Sequence, residues 1–503
     1  MRRSAIPAAA LLLVTLAATP AAAVDTVNSK KLRDAVTVGG ILSHQRALQR
    51  IANTNGGTRA SGTPGFAASA AYVKNTLRAS GYRVREQQFT FPFFQELAPA
   101  TLAQLTPTPT TYETGTFNFS GSGDVTGAVV PTNDVLIPPP PTPGSTSGCE
   151  ASDFPPAPAG PAIALVQRGT CTFQIKVTNA VAAGYDAVII FNEGQPGRTD
   201  LFTGDLGAVF TVPVVGLNFA DASALYAAAQ AGPVTARVTT STVTENRQTS
   251  NVLADTPGGD PEKVVVVGAH LDSVLEGPGI NDNGSGTATL LEIAEQLKAL
   301  KVKPRQQVRF AFWGAEEAGL LGSEHYVATL TDAQLGRIYA NLNFDMLGSP
   351  NHVRFVYDGD GSAAGASGPP GSAAIEGIFT SYFAGQNLAS EPTAFDGRSD
   401  YGPFIAVGIP AGGLFSGAEG IKTPEQAQVY GGTAGEPYDA CYHQACDTIN
   451  NLSTNALFEL GDAAAHAVYT LAVTRTGIFP DGSLRSAQQS GPTFLYKGSH
   501  LIR

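Results

Sequence analysis

His270 follows the apolar run Val264-Val265-Val266-Val267, within Gly268-Ala269-His270-Leu271-Asp272-Ser273. Asp282 comes twelve residues later, inside Asn281-Asp282-Asn283-Gly284-Ser285-Gly286. A second apolar run leads into Trp313-Gly314-Ala315-Glu316-Glu317, and a third into Asn343-Phe344-Asp345-Met346. His443 lies far downstream, in Cys441-Tyr442-His443. Imidazole nitrogen and carboxylate oxygen are ligands that zinc takes, at about 2.0–2.2 Å. Two zinc ions about 3.5–4 Å apart need roughly five ligands when one carboxylate bridges them. His270, Asp282, Glu317, Asp345 and His443 supply that set. Three carboxylates against two divalent ions leave a charge of about +1, which a bridging hydroxide cancels. Glu316 is then left beside a ligand, placed to take a proton from water, a role worth about 10²–10⁴ in rate. Read alone, a Glu-Glu pair is a charged helix start favoured by the helix dipole; in the company of the other ligands the catalytic reading is preferred. Asp272 can accept a hydrogen bond from the second ring nitrogen of His270 and set its tautomer; it reads equally as a turn residue. The chemistry implied is metal-dependent hydrolysis.

Such ligands must be delivered by the ends of successive strands. In an open α/β sheet, ligands bind beyond the carboxyl ends of the strands. Apolar runs predict strands at 264–267, 308–313, 338–344 and 352–357, and helical periodicity predicts helices at 287–300, 320–326, 373–383 and 456–471. This alternation implies an α/β fold, with a mixed, mainly parallel central sheet carrying helices on both faces. Earlier in the chain, helices are expected at 38–51 and 66–77 and a strand near 83–91. Between about Gly127 and Val243 a separate α/β pattern appears, with strands at 162–166, 187–191 and 212–217 and helices at 173–183 and 221–229. No converging histidines or acids occur there, so this segment reads as an inserted accessory domain.

The chain opens with Arg2-Arg3, an apolar stretch through Val14 and the small residues Ala21-Ala22-Ala23. This predicts a secretory signal peptide over 1–23, and hence a secreted, extracellular protein without a membrane anchor. Cleavage there would leave 29 basic against 42 acidic side chains, a charge of about −13. So acidic a chain, with no basic cluster, is not expected to bind nucleic acid. Cys149, Cys171, Cys441 and Cys446 are even in number, which in an exported protein favours disulfides. Local pairing, Cys149–Cys171 and Cys441–Cys446, is the simplest of three connectivities. The competing reading makes Cys441, His443 and Cys446 a structural zinc site, for which no fourth ligand lies nearby.

Taken together, these stretches resemble the co-catalytic dizinc aminopeptidases of the aminopeptidase Y and aminopeptidase S type. The likeness rests on 268–273, 279–286, 312–323, 343–346, Gly397-Arg398-Ser399-Asp400-Tyr401 and Cys441-Tyr442-His443. It covers nearly all of the chain between the leader and about Pro480. It implies the zinc exopeptidase fold, of phosphorylase/hydrolase-like architecture, and two Zn²⁺ per chain. The first ion would be held by His270 and Asp345, the second by Glu317 and His443, with Asp282 bridging. It further implies Glu316 as general base, Tyr442 as a stabiliser of the oxyanion, Arg398 near the substrate's amino end, and a cis bond after Asp282. The stretches 162–173, 182–192 and 212–215 resemble a protease-associated domain, for which the family suggests a lid or substrate-access role.

The expected organisation is a signal peptide (1–23), a discontinuous peptidase domain (24–126 and 244–480), a protease-associated insertion (127–243) and a tail (481–503). The expected activity is removal of amino-terminal residues, large apolar ones such as Leu by analogy, from peptides with a free amino end, by a monomer. Rival readings are a carboxypeptidase-like or other zinc-dependent amide hydrolase, a glutaminyl cyclase-like acyltransferase, and a non-catalytic binding protein. Neither a Gly-x-Ser-x-Gly nor a His-Glu-x-x-His motif is present.

Overall fold

The structure is a computed structural model that describes residues 27–479 except 364 and 366. The expected leader and tail therefore lie outside the described residues. In chain order the strands are β1 (Arg83–Thr106), β2 (Thr110–Tyr112), β3 (Gly115–Thr116), β4 (Gly123–Pro131), β5 (Ala162–Gln167), β6 (Ala187–Phe191) and β7 (Val214–Leu217). They continue with β8 (Thr235–Asp255), β9 (Asp260–His270), β10 (Gln306–Trp313), β11 (Ile338–Asp345), β12 (Phe355–Tyr357), β13 (Glu391–Thr393) and β14 (Ala411–Phe415).

At the centre of one half, β10, β9, β11 and β14 run parallel, in that order. From Val264 on in β9, and along β10, β11 and β14, the residues are almost all buried, as a sheet covered on both faces requires. One face packs against the helices Gly284–Ala299, Ser372–Gly385 and Thr454–Val473, through residues such as Leu290, Phe379, Leu460, Val468 and Leu471. Trp313, Tyr326 and Phe404 fill the opposite face.

The second half repeats the pattern with parallel β4, β5, β6 and β7, and has its own apolar clusters on both faces. The sequence suggests two separate sheets, whereas among the described residues the structure joins them into one of fourteen strands. The join is β8, which pairs antiparallel with β10 at one end and with β4 at the other. β1 follows β8 along nearly its whole length, from Arg83 opposite Asp255 to Thr106 opposite Thr235. The expected strand at 83–91 is only the first part of β1. The rest of the ribbon is threonine-rich and half exposed, and so lacks a continuous apolar run. β14 also escapes sequence reading, because glycines occupy its interior. A Cβ on Gly412 would meet Ile375 at 2.4 Å, and one on Gly413 would meet the Asn343 carbonyl oxygen at 1.8 Å.

Both local disulfides form, Cys149–Cys171 and Cys441–Cys446. With both sulfurs of the second pair bonded to each other, the structural-zinc reading of that loop is excluded. Among the described residues, no helix is long and apolar enough to cross a membrane.

His466, on the helix Thr454–Val473, meets the Ser29 hydroxyl at 2.8 Å and stacks on Tyr382. Burial, with Arg33 adding to it, pushes this imidazole down to about 4. The unfolded chain therefore binds a proton here between about pH 6.5 and 4 that the folded chain refuses. Stability from this residue is present above that window and is lost as pH falls through it. Thermal unfolding of His466→Gln against the parent should show a shallower loss of stability over that range, by at most about 1.4 kcal/mol per pH unit.

Candidate active site

Three parallel strands end at one edge of the sheet. β9 ends on His270, β10 on Trp313 directly opposite it, and β11 on Asp345. The turn after β10 is pinned by two hydrogen bonds: Ala315 N–H donates to Ser61 Oγ at 2.7 Å, and Gly314 N–H to Asn251 Oδ1 at 3.1 Å. Ala315, Met346 and His443 all have positive φ, at 53°, 52° and 56°. Backbone strain of this kind collects at functional sites, where the surrounding packing holds it.

The side chains singled out from the sequence meet here. His270 Nε2 lies 3.1 Å from Asp282 Oδ1, 3.3 Å from Asp345 Oδ1 and 3.8 Å from Glu316 Oε2. His443 Nε2 lies 3.1 Å from Asp282 Oδ2 and 3.1 Å from Glu317 Oε2. Asp282 thus faces one imidazole with each oxygen. Asp345 Oδ1 is buried and accepts no hydrogen bond among the described residues, while its Oδ2 accepts one from Ser399 Oγ at 2.5 Å. Nitrogen and oxygen atoms spaced in this way suit cations held between them, and the N/O donor set suits zinc.

The electrostatics fit the same picture. Burial works against His270 carrying a proton, yet Glu316 and Asp345 hold its affinity well above the ordinary range. Burial likewise opposes a charged His443, but Glu317 and Asp282 raise it to about 10. Asp282, although buried, is held well below the usual carboxylate range by its contacts with both imidazoles. Positive charge is what this cluster lacks, and divalent cations supply it.

Asp272 lies beside the second ring nitrogen of His270 and also meets the Glu316 backbone. His270 Nδ1 is 3.2 Å from the Asp272 carbonyl oxygen and 3.7 Å from its carboxylate. The same carboxylate oxygen accepts the Glu316 N–H at 3.3 Å, tying the loop of His270 to that of Glu316. Burial and the neighbouring Glu317 raise the Glu316 carboxyl well above the usual range, with His270 opposing them. Tyr442 stacks on His443 with ring centroids 3.8 Å apart. Arg398 pairs with Glu419 at 2.7 Å and reaches the Tyr442 hydroxyl at 3.4 Å. The peptide bond between Asp282 and Asn283 is cis.

Several supporting residues were not visible in the sequence. Asp447 accepts the N–H groups of Asn281 and Asp282 at 2.8 and 3.0 Å. Asp439 accepts from Asn281 Nδ2 and from the Cys441 N–H. These two carboxylates connect the disulfide loop carrying His443 to the loop carrying Asp282. Asn283 Oδ1 caps the helix Gly284–Ala299 and also accepts the Met346 N–H at 3.2 Å, linking the loops of Asp282 and Asp345. Arg59 is fully buried and donates to the carbonyls of Leu271, Pro278 and Gly279. Asn283 lies within the stretch 279–286 without its bond to the Met346 backbone being readable there, while Asp447, Asp439 and Arg59 belong to none of the stretches singled out above.

Comparison with known proteins agrees with this geometry. The model of Peptidase family M28 matches residues 251–468, and that of the PA domain matches 125–225. The aminopeptidase of Pseudomonas aeruginosa strain UCBPP-PA14 is 48% identical over 441 residues, covering 86% of this chain and 81% of the relative. The probable leucine aminopeptidase 2 of Aspergillus fumigatus is 44% identical over 412 residues, covering 81% of this chain and 78% of the relative. Among solved structures, BSAP, a zinc aminopeptidase from Bacillus subtilis, superposes with a TM-score of 0.59 at 27% identity, covering 86% of this chain and 95% of that one.

Proposed function

The chain belongs to peptidase family M28 and is an aminopeptidase, and from that premise we propose that it is a secreted enzyme that uses two zinc ions to remove amino-terminal residues, preferring large apolar ones such as leucine. The observation that carries this reading is Asp282, set between His270 and His443 with one oxygen 3.1 Å from each ring. His270 and Asp345 would hold one ion, Glu317 and His443 the other, and Asp282 would bridge. The leucine preference is supported by the name of the Aspergillus relative, and zinc by that of the Bacillus structure. Secretion is supported by the two disulfides and the basic-then-apolar beginning of the chain. The same reading takes 127–243 as an insertion governing substrate access, carried by the β1–β8 ribbon.

Zinc bound at these residues supplies Lewis acidity to the scissile carbonyl and acidifies water. Glu316 then takes the proton of the attacking water on its carboxylate and passes it to the departing amine. Burial, with Asp282 and Glu317, keeps the Tyr442 hydroxyl protonated far above neutral pH. That hydroxyl, with Arg398 beside it, donates to the oxygen on which charge develops.

Hydrolysis of leucine p-nitroanilide and of its N-acetyl form tests the reading. The free amine should be cleaved at least about 100-fold faster, by an enzyme that loses activity on chelation and regains it with zinc. Equal rates on the two substrates would overturn the assignment of the amine-binding end.

A further inference from the structure

Outside the active-site cluster, the helix Val38–Thr54 faces the helix Gly284–Ala299 through His44, Glu292 and Glu295. His44 Nε2 lies 3.5 Å from Glu295 Oε2 and 3.9 Å from Glu292 Oε2. A ligand atom from each of the three residues lies within 4.8 Å of the others. We propose that these three side chains form a further metal site, taking one divalent transition-metal ion such as zinc and joining the two helices.

Four observations support it. The other nitrogen of His44, Nδ1, is 2.7 Å from the Tyr72 hydroxyl, the outer contact that fixes the ring of a ligating histidine. Glu292 uses Oε1 for the Thr37 N–H and the Gln296 amide, leaving Oε2 turned toward His44. Its carboxylate needs Gly40 beneath it, since a Cβ there would lie 2.3 Å from it. Finally, among the described residues His44 is the only basic side chain within ion-pair distance of either glutamate. One imidazole and two carboxylates are a donor set that zinc accepts, and the ion's charge cancels theirs. The side chains of His44 and Glu292 are 7% and 5% exposed, whereas that of Glu295 is 35% exposed and gives the ion a way in from solvent.

The site lies on the helix that starts just after Asp282, about 12 Å along it from Gly284 to Glu292. An ion there would stabilise the fold without entering the reaction. The test uses the full chain with its catalytic zinc restored, titrated with further zinc and followed by elemental analysis and thermal unfolding. The parent should retain one ion per chain more than His44→Gln. Excess zinc should raise the parent's Tm by roughly 2–5 °C and leave that of His44→Gln unmoved. Hydrolysis of leucine p-nitroanilide should agree within about twofold between them. Glu295→Gln, at the more exposed position, should weaken retention of the extra ion at least about tenfold, and it serves as the test should His44→Gln fail to fold. Equal ion content and equal Tm response in the parent and the variants would overturn the proposal and leave His44 as a polar neighbour of two glutamates.

Discussion

Glu316→Gln is expected to keep its metal and lose nearly all turnover, with kcat falling by about 10²–10⁴. Glutamine has nearly the same shape, so the Glu316 N–H bond to Asp272 and the turn pinned by Ser61 and Asn251 remain. What it cannot do is accept a proton from water and return it to the leaving amine. The loss should fall on kcat and on kcat/KM alike, because the missing interaction belongs to the transition state. Elemental analysis should give the parent's metal content, since Glu316 Oε2 is 3.8 Å from the His270 ring while Asp282 and Asp345 approach more closely. A variant that turned over near the parent rate would place the base elsewhere.

Asp282→Ala is expected to fail differently, by losing metal first. Among the described residues, Asp282 is the one carboxylate within ion-pair distance of both imidazoles, and its removal leaves His270 and His443 facing a gap. Loss of an outer partner of a metal ligand costs about 10–100-fold in affinity or activity, and loss of the bridging ligand should exceed that. Metal content should drop, and activity should fall by more than about 100-fold even with zinc in excess. The combination separates the two residues: one variant is loaded and inactive, the other unloaded and inactive. Parent-like metal content in Asp282→Ala would remove it from the ligand set.

Much of the fold was legible in the sequence. The strands ending at His270, Trp313 and Asp345 are buried on both faces, so each is a run of apolar residues that stops where chemistry begins. Periodicity showed helices at 287–300 and 456–471, and the structure places them at 284–299 and 454–473 with the capping residues Asn283 and Ser453. The β1–β8 ribbon was not legible along its length. Its stability comes from pairing between segments far apart in the chain, and that leaves little trace in local hydrophobicity. β14 stayed hidden because its glycines answer to Ile375 and Asn343, which are remote in sequence.

For the site, residue types and order were enough to nominate His270, Asp282, Glu316, Glu317, Asp345 and His443, because the chemistry of a metal pair demands those donors, and strand ends bring His270, Glu316, Glu317 and Asp345 to one edge where the loops of Asp282 and His443 meet them. What these side chains lean on was decided by tertiary structure alone. Asp447 and Asp439 hold the Asp282 loop through Asn281 and the backbone, Arg59 gathers three carbonyls beneath it, and the Asp272 carboxylate lies against the His270 ring and also accepts the Glu316 N–H. Donor identity is a property of single side chains and can be read one residue at a time. Support is a matter of which distant backbone groups come within about 3 Å of one another, and only the folded chain determines that.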